Sequence, residues 1–482
     1  MEDGFYLGID IGTYESKGVL VNQAGEIVAR EWVRHEMENP RNGYFEQDAE
    51  AVWWGDFCRL SQALLAAASI GPEQIRCIGA STLGSDCLPV DQDCRPLRKA
   101  ILYGIDSRAV EEIRWLQEYY GEEKERRLFG RPLCTGDVAP KILWIRRNEP
   151  EVYRQTYKFL TGPSYLAAKL TGNYVIDEFL EDASFRPLYR ERVEEGEAYR
   201  LFCRPDQLAA PQPVTGLAGY VTEQAAAETG LAPGDVMLQF GSTLFLYCCT
   251  DRLSQDDRLW GNSFTIPGTY SVSGGTNAAG TLTRWCRNLL YPDALAQEAE
   301  GGENAFARMA QEAGAVPPGA DGLITLPYFA GERTPLNDPQ AKGMLFGLKL
   351  SHTRGHICRS ALEGVGYSIA QHLDILEEMQ VPVRNILAVG GGTQNPVWMQ
   401  CVADILGKPV QVAQVSVGAA YGDALMAMIG AGRCQSFQDL RQFIHVQDVY
   451  RPEPGNFALY QEYQKIFREL YTRNKDLMHR LG

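Results

Sequence analysis

Residues 5–22 read FYLGIDIGTYESKGVLVN, and the reading of this stretch decides the fold. The apolar runs 5–10 (FYLGID) and 18–22 (GVLVN) predict two strands joined by a glycine turn. Asp10 falls at the end of the first strand, Gly12 and Thr13 in the turn, and Lys17 just after it. Backbone amides in such a turn can cradle phosphate, and a carboxylate beside them can hold a hydrated magnesium ion. Asp-x-Gly-Thr is also ordinary hairpin chemistry, so the stretch alone leaves both readings open. The following QAGEIVAREWVR adds another turn and a third strand. Together they predict an antiparallel meander at the edge of a mixed sheet.

Further along, DVMLQFGSTLFLYCC (235–249) has the same outline of strand, small-residue turn and strand. It reads as a weak internal repeat, one copy opening each half of the chain. Its turn, Gly241, Ser242 and Thr243, could offer amides and hydroxyls to the other end of a triphosphate. A third element is GGGTQNPVWMQCVADILGKPV (390–410). The strand 386–390 ends on Gly390, Gly391 and Gly392, and a helix starts near Asn395 or Pro396. Glycines after a strand admit a ligand close to the backbone, and the helix N-terminus favours phosphate. Tight strand–helix packing is the competing explanation for one or two of these glycines. Helical spacing predicts further helices at 48–69, near 107–120, at 139–148, 150–170, 276–287, 304–314, 353–379, 396–406, 417–431 and 456–478. A buried strand is expected at 75–80.

The chain has 482 residues, enough for two cores. Apolar residues make up 45% and charged residues 22%, the balance of a globular protein. The net charge of −15 repels phosphate backbones, which excludes nucleic acid as a partner but not a single nucleotide held by local donors. The twelve cysteines form no CxxC pair, so neither a zinc ribbon nor a redox dithiol is expected. The opening MEDGFYLGID lacks the pattern of a signal peptide, and no apolar run reaches eighteen residues. A cytoplasmic protein with no membrane partner is the expectation.

These elements resemble the FGGY carbohydrate kinases nearly end to end. APKILWIRRNEPE (139–151) matches the family's first signature, with Lys141 and Trp144 in place and Val138 departing from the usual residue. GMLFGLKLSHTRGHICRSALE (343–363) matches the second, through Gly343, Gly347, His356, Ser360 and Glu363. The 390–410 segment, GAAYGDALMA (418–427) and YFAGERTP (328–335) also match. The resemblance implies an α/β fold of two ribonuclease H-like, actin-like ATPase domains with an interdomain cleft. Residues 1–232 would bind the sugar and 233–482 the nucleotide. ATP would lie between them, with Asp10 at the magnesium ion. Asp10, Gly12, Thr13, Lys17, Gly241, Ser242, Thr243, Gly390, Gly391, Gly392 and Asn395 are the implied nucleotide contacts. The sugar loops would be STLGSDCLPVD (81–91) and LYGIDSRA (102–109), with Ser81, Thr82, Asp106 and Arg108 as substrate contacts. An Asp-x-Arg cap and surface pair is the competing explanation for the last two. The pattern looks most like the xylulokinase branch, which implies ATP-dependent phosphorylation of a ketopentose. The family's usual Gln-Met-His is replaced here by Ser81-Thr82-Leu83-Gly84, leaving the sugar open. A homodimer is a compatible assembly.

One part of the family pattern has no counterpart. The resemblance implies a catalytic aspartate on a glycine-rich turn after the first strand of the second domain, followed by a helix. Here VTEQAAAETGLAPG (221–234) runs straight into DVMLQFGSTLFL. In one alignment Gly241–Thr243 is the phosphate turn and the aspartate is deleted. In the other, Thr243 stands at the aspartate's place. The nearest substitute is Asp235. Such a carboxylate accepts the proton of the attacking hydroxyl. Three readings stay open: a kinase with an unusual proton acceptor, a nucleotide- or sugar-binding pseudokinase, and an internal deletion that leaves a sheet edge bare in the second domain.

Overall fold

The computed structural model describes residues 4–186, 188–189, 200–214, 216–229, 231, 236–239, 246–254, 256–264, 269–415 and 418–481. The opening stretch forms β1 (Phe5–Ile11) and β2 (Glu15–Val21), followed by β3 (Ile27–Arg34). The three pair antiparallel in sequence and form one side of a six-stranded mixed sheet. On its other flank β1 runs parallel to strand Ile75–Thr82, which runs parallel to Val236–Gln239; Leu217–Tyr220 closes that end antiparallel.

A strand at the centre of such a sheet is covered on both faces, which is why β1 is apolar throughout rather than alternating. Tyr6, Leu7, Ile9 and Ile11 are all buried. On the face of Ile9 and Gly18 lies helix Gly55–Ala68, with Leu60 and Leu64 against Gly18. The other face receives helix Ala419–Gly430 at backbone distance. A Cβ on Gly8 would stand 1.9 Å from the Ala420 carbonyl, and one on Gly79 2.2 Å from that of Asp423. Gly8 and Gly79 are register partners, so together they form the smooth patch that this small-residue helix needs. Two segments beyond residue 232, Val236–Gln239 and Ala419–Gly430, therefore pack on the first lobe.

The second lobe divides its strands. Tyr270–Gly274 lies between Leu246–Thr250 and Trp260–Ser263, all antiparallel. A separate sheet pairs Ile386–Ala388 parallel with Val410–Ala413 and then antiparallel with Val446–Tyr450. Helices supply much of its core: Cys358, Leu362, Val365 and Leu373 of helix Arg354–Glu378 are buried against Trp398 and Val402 of helix Pro396–Leu406 and Phe467 of helix Pro454–Arg480.

Three expectations are corrected. The strand–turn–strand unit at 235–249 is not a hairpin, because Val236–Gln239 and Leu246–Thr250 belong to different sheets. Apolar strand and turn residues look alike whether the chain returns on itself or crosses between lobes. The helix expected over 150–170 is two helices, Pro150–Gln155 and Gly162–Thr171, separated by strand Lys158–Leu160. Thr161 caps the second, and Pro163 suits a first turn but not a helix interior. The helix near 107–120 runs on over Val110–Phe129 with a break at Gly121, whose φ of +70° no helix contains. The helices expected at 139–148, 304–314, 353–379, 396–406, 417–431 and 456–478 are present within one or two residues at each end.

Candidate active site between the lobes

Asp10 stands one residue from the end of β1, with Lys17 as its register partner on β2 and Ser81 on the other side. The Ser81 hydroxyl lies 2.9 Å from Asp10 Oδ1 and 2.6 Å from Asp423 Oδ2. Asp10 and Asp423 thus share the Ser81 hydroxyl as their common donor. Burial, reinforced by the nearby charge of Asp10 and opposed by the Ser81 hydrogen bond, pushes Asp423 well above the carboxylate range. The turn beyond it is tight, because Gly12 N–H donates to the Glu15 carbonyl at 3.1 Å and a Cβ on Gly12 would be 2.7 Å from that oxygen. Lys17 pairs with Glu15 at 3.3 Å. The Thr13 hydroxyl reaches the Tyr103 hydroxyl at 3.3 Å.

Tyr103 connects this turn to a small cavity of about 70 Å³ between the lobes. Ser85, Tyr103 and Arg131 of the first lobe face Trp260, Asn262 and Arg333 of the second across it. Arg131 forms a double hydrogen bond with Asp137 at 2.8 and 2.9 Å, while the Arg333 guanidinium lies 5.9 Å from the ring centres of both Tyr103 and Trp260.

The four sequence-derived sugar contacts all have partners inside the protein. Ser81 is fully buried between Asp10 and Asp423. Thr82 is fully buried, and its hydroxyl donates to the Leu83 carbonyl at 3.0 Å. Asp106 and Arg108 are held inside the first lobe. Asp106 accepts from Arg108 and from Phe45 N–H at 2.7 Å; Arg108 also donates to Glu46 at 2.7 Å and stacks on Tyr44 and Trp144. A paired Asp-x-Arg was the alternative explanation, and it is buried rather than on the surface. In both loops the residues at the cavity are near neighbours, Gly84 and Ser85 in one and Tyr103 and Gly104 in the other. Sequence reasoning favoured side chains with charge. A large tyrosine between two glycine-containing turns was the available signal.

Asp86 follows directly and is fully buried, and among the described residues no hydrogen bond of good geometry reaches either carboxyl oxygen. Burial holds it well above the carboxylate range, against the opposing charge of Lys141. That lysine is fully buried as well. Burial lowers it despite Asp86, and its ammonium donates to the Ser85 carbonyl at 2.8 Å. The first signature's lysine thus fixes the loop that lines the cavity. The second signature is structural too: Glu363 accepts from Tyr460, Arg359 and Gly319 N–H, and Ser360 meets Thr325 at 2.7 Å.

In the glycine loop each residue has a different reason. Gly390 has φ +99°, which favours glycine, and a Cβ on Gly392 would press on Trp398 at 2.9 Å. A Cβ on Gly391 would meet nothing within 4 Å, so packing does not require that glycine. Asn395 caps helix Pro396–Leu406 by accepting from Trp398 N–H at 3.1 Å. Asp235, Gly241, Ser242 and Thr243 lie outside the described residues. Among the described residues, no cluster of three or more acidic, His or Cys side chains could hold a metal ion, and no helix is long and apolar enough to cross a membrane.

The profile of the FGGY family of carbohydrate kinases matches its N-terminal domain over residues 5–185 and its C-terminal domain over residues 240–431. The xylulose kinase of Escherichia coli is 28% identical over 504 positions, covering 98% of this chain and all of that protein. The gluconokinase of Bacillus subtilis is 26% identical, covering 97% and 95%. The crystal structure of xylulose kinase from Rhodospirillum rubrum superposes with a TM-score of 0.81 at 28% identity, covering 98% of this chain and 100% of that one. The chain belongs to the FGGY family of carbohydrate kinases and has its two-domain, actin-like ATPase fold.

Proposed function

We propose that this FGGY chain is an ATP-dependent sugar kinase whose acceptor is a ketopentose such as xylulose. The observation that carries the reading is the cavity joined through Tyr103 to the β1–β2 turn. Its Ser85, Asn262 and Arg333 give a polyhydroxy ligand both donors and acceptors. Residues 1–232 would hold the sugar and 233–482 most of the nucleotide, the protein working in the cytoplasm as a monomer or homodimer. At about 70 Å³ the space is well below the roughly 300 Å³ of ordinary ligand sites, so substrate entry requires the lobes to open.

Gly12, Thr13 and Lys17, with Gly241, Ser242 and Thr243, would take the phosphates; Gly391, beside Gly390 and Gly392 and ahead of the Asn395 cap, leaves room for the nucleoside. The donor set fits magnesium, which commonly uses one or two carboxylates and the substrate's own phosphate oxygens. Asp10 would hold it, since it stands near the end of β1 beside the turn. When bound, the ion would neutralise charge on the transferring phosphoryl group.

The proton acceptor decides between kinase and pseudokinase. The direct run from VTEQAAAETGLAPG into DVMLQFGSTLFL motivates a binding-only pseudokinase as the second reading, with Asp235 the remaining candidate acceptor. The test is magnesium- and ATP-dependent ADP release over pentuloses, hexuloses, polyols and gluconate, with the wild type and Asp235→Asn. Pentulose-dependent release lost in the variant supports the kinase and assigns Asp235. Release that survives in the variant keeps the kinase and places the acceptor elsewhere. Release with gluconate alone overturns the sugar assignment. No release from protein that binds ATP establishes the pseudokinase.

A further inference from the structure

His35 follows directly on β3 and lies beneath the β1–β2 turn; its side chain is only 8% exposed. Its Nδ1 is 2.8 Å from Asp56 Oδ2, and its Nε2 is 3.0 Å from the Gly12 carbonyl oxygen. A carbonyl oxygen can only accept, so Nε2 must carry a proton. Asp56 also accepts from the Ser16 hydroxyl at 2.6 Å and from Arg59. Burial works to raise the Asp56 carboxyl, yet the hydrogen bonds from His35, Ser16 and Arg59 outweigh it and hold it below its ordinary value. An ionised Asp56 needs a donor at Nδ1 too. Both ring nitrogens thus face acceptors, an arrangement that N–H groups on both sides would satisfy.

The histidine's backbone amide donates to the Tyr14 carbonyl at 3.0 Å. Gln47 completes the clamp. Its amide donates to the Thr13 carbonyl at 2.9 Å, and its own carbonyl accepts from Trp53 at 2.8 Å. The carbonyls of Gly12, Thr13 and Tyr14 are thus drawn down into the lobe. In a tight turn, holding a peptide's carbonyl on one side fixes the direction of the N–H of the next residue.

We propose that His35, anchored on Asp56, is a positioning residue that orients the turn's amides toward nucleotide phosphate. The inference rests on the nucleotide reading above. It does not need the chain to turn over, because binding alone reads it out.

The experiment uses the full chain. Calorimetric affinity for magnesium–ADP is compared among wild type, His35→Gln and Asp56→Asn, with melting temperature as the folding control. Nitrogen shifts of the His35 ring and amide shifts of Gly12–Tyr14 are recorded by NMR. The expected result is two ring N–H groups in the wild type. Each variant should bind the nucleotide roughly tenfold or more weakly while still folding, the effect of losing one charge-assisted hydrogen bond. The turn's amide shifts should move in step. His35→Gln can hold one side of the clamp but not both; should it fail to fold, Asp56→Asn, a near-isosteric change, carries the same expectation. Wild-type nucleotide affinity in a folded variant overturns the inference, as does a wild-type ring with a single N–H. A wild type that binds no nucleotide overturns the nucleotide reading itself, and this inference with it.

Discussion

The two lobes order their strands alike, with one difference. In the first, the sequence of neighbours is an antiparallel outer strand, Leu217–Tyr220, then the parallel pair Val236–Gln239 and Ile75–Thr82, then β1, then antiparallel β2 and β3. The second shows an antiparallel outer strand, Val446–Tyr450, then the parallel pair Val410–Ala413 and Ile386–Ala388. Its other three-stranded sheet, Leu246–Thr250, Tyr270–Gly274 and Trp260–Ser263, is antiparallel like β2 and β3. Among the described residues nothing stands in the place of β1. The comparison teaches what a central strand does. In the first lobe it joins two flanks into one sheet and sets Asp10 at its end. In the second the flanks remain separate three-stranded sheets, Leu387 and Val389 are each 44% exposed, and helix Arg354–Glu378 takes up the core.

Hydrogen exchange gives the widest test of that comparison. Amides of β1 and Ile75–Thr82 have sheet neighbours on both sides, whereas Leu246–Thr250 and Ile386–Ala388 have one each among the described residues. The first pair should exchange more slowly by on the order of a hundredfold; equal protection would show that the second lobe closes its sheet in another way. Next in size is the buried ion cluster of the first lobe. Arg108→Met leaves Asp106 and Glu46 without their shared cation and should cost about 3–5 kcal/mol in chemical denaturation. A loss below 1 kcal/mol would mean that the cluster is not what holds the loop at 102–109.

In the second lobe the matching device is a buried carboxyl. Burial raises Glu332 from an ordinary 4.5 to about 7, against hydrogen bonds from Thr276, Arg333 N–H and Asn277 N–H. The folded state keeps this proton where the unfolded chain releases it. The associated stability is therefore complete below about pH 4.5 and is lost as pH rises through 7. Wild type should lose up to roughly 3 kcal/mol relative to Glu332→Gln between pH 4.5 and 8. Parallel stability curves for the two proteins would place the proton elsewhere.

The smallest pair contrasts two glycines. Gly8→Ala must push helix Ala419–Gly430 off the sheet and should cost about 1–3 kcal/mol. Gly391→Ala meets no neighbour and should stay within about 0.5 kcal/mol, yet weaken nucleotide binding. Unchanged nucleotide affinity in Gly391→Ala would remove that loop from the site.

Much of this was legible beforehand. Apolar runs with period 3.6 give the long helices, since one face must be buried, and 396–406 and 353–379 were placed to within a residue or two. Asp10, Gly12 and the glycine loop were singled out because turns and strand ends demand particular residue types. The sugar contacts were less legible. Asp106 and Arg108 have the chemistry of a ligand site, but charge alone does not show whether its partner is a substrate or another side chain. His35 lies 23 residues from the carbonyl it holds and 21 from its carboxylate, beyond any local pattern.

By itself, then, the sequence determined the family and the two-lobed fold. Both are written in local order, as hydrophobic period, turn chemistry and motif spacing. The tertiary structure alone decided which strands share a sheet, that Ser81 links Asp10 to Asp423 from the chain's far end, and that Tyr103, Trp260 and Arg333 face one cavity. Those outcomes depend on burial and on hydrogen bonds between residues hundreds of positions apart. A carboxyl's charge and a hydroxyl's freedom are fixed by what surrounds them, which only the folded chain supplies.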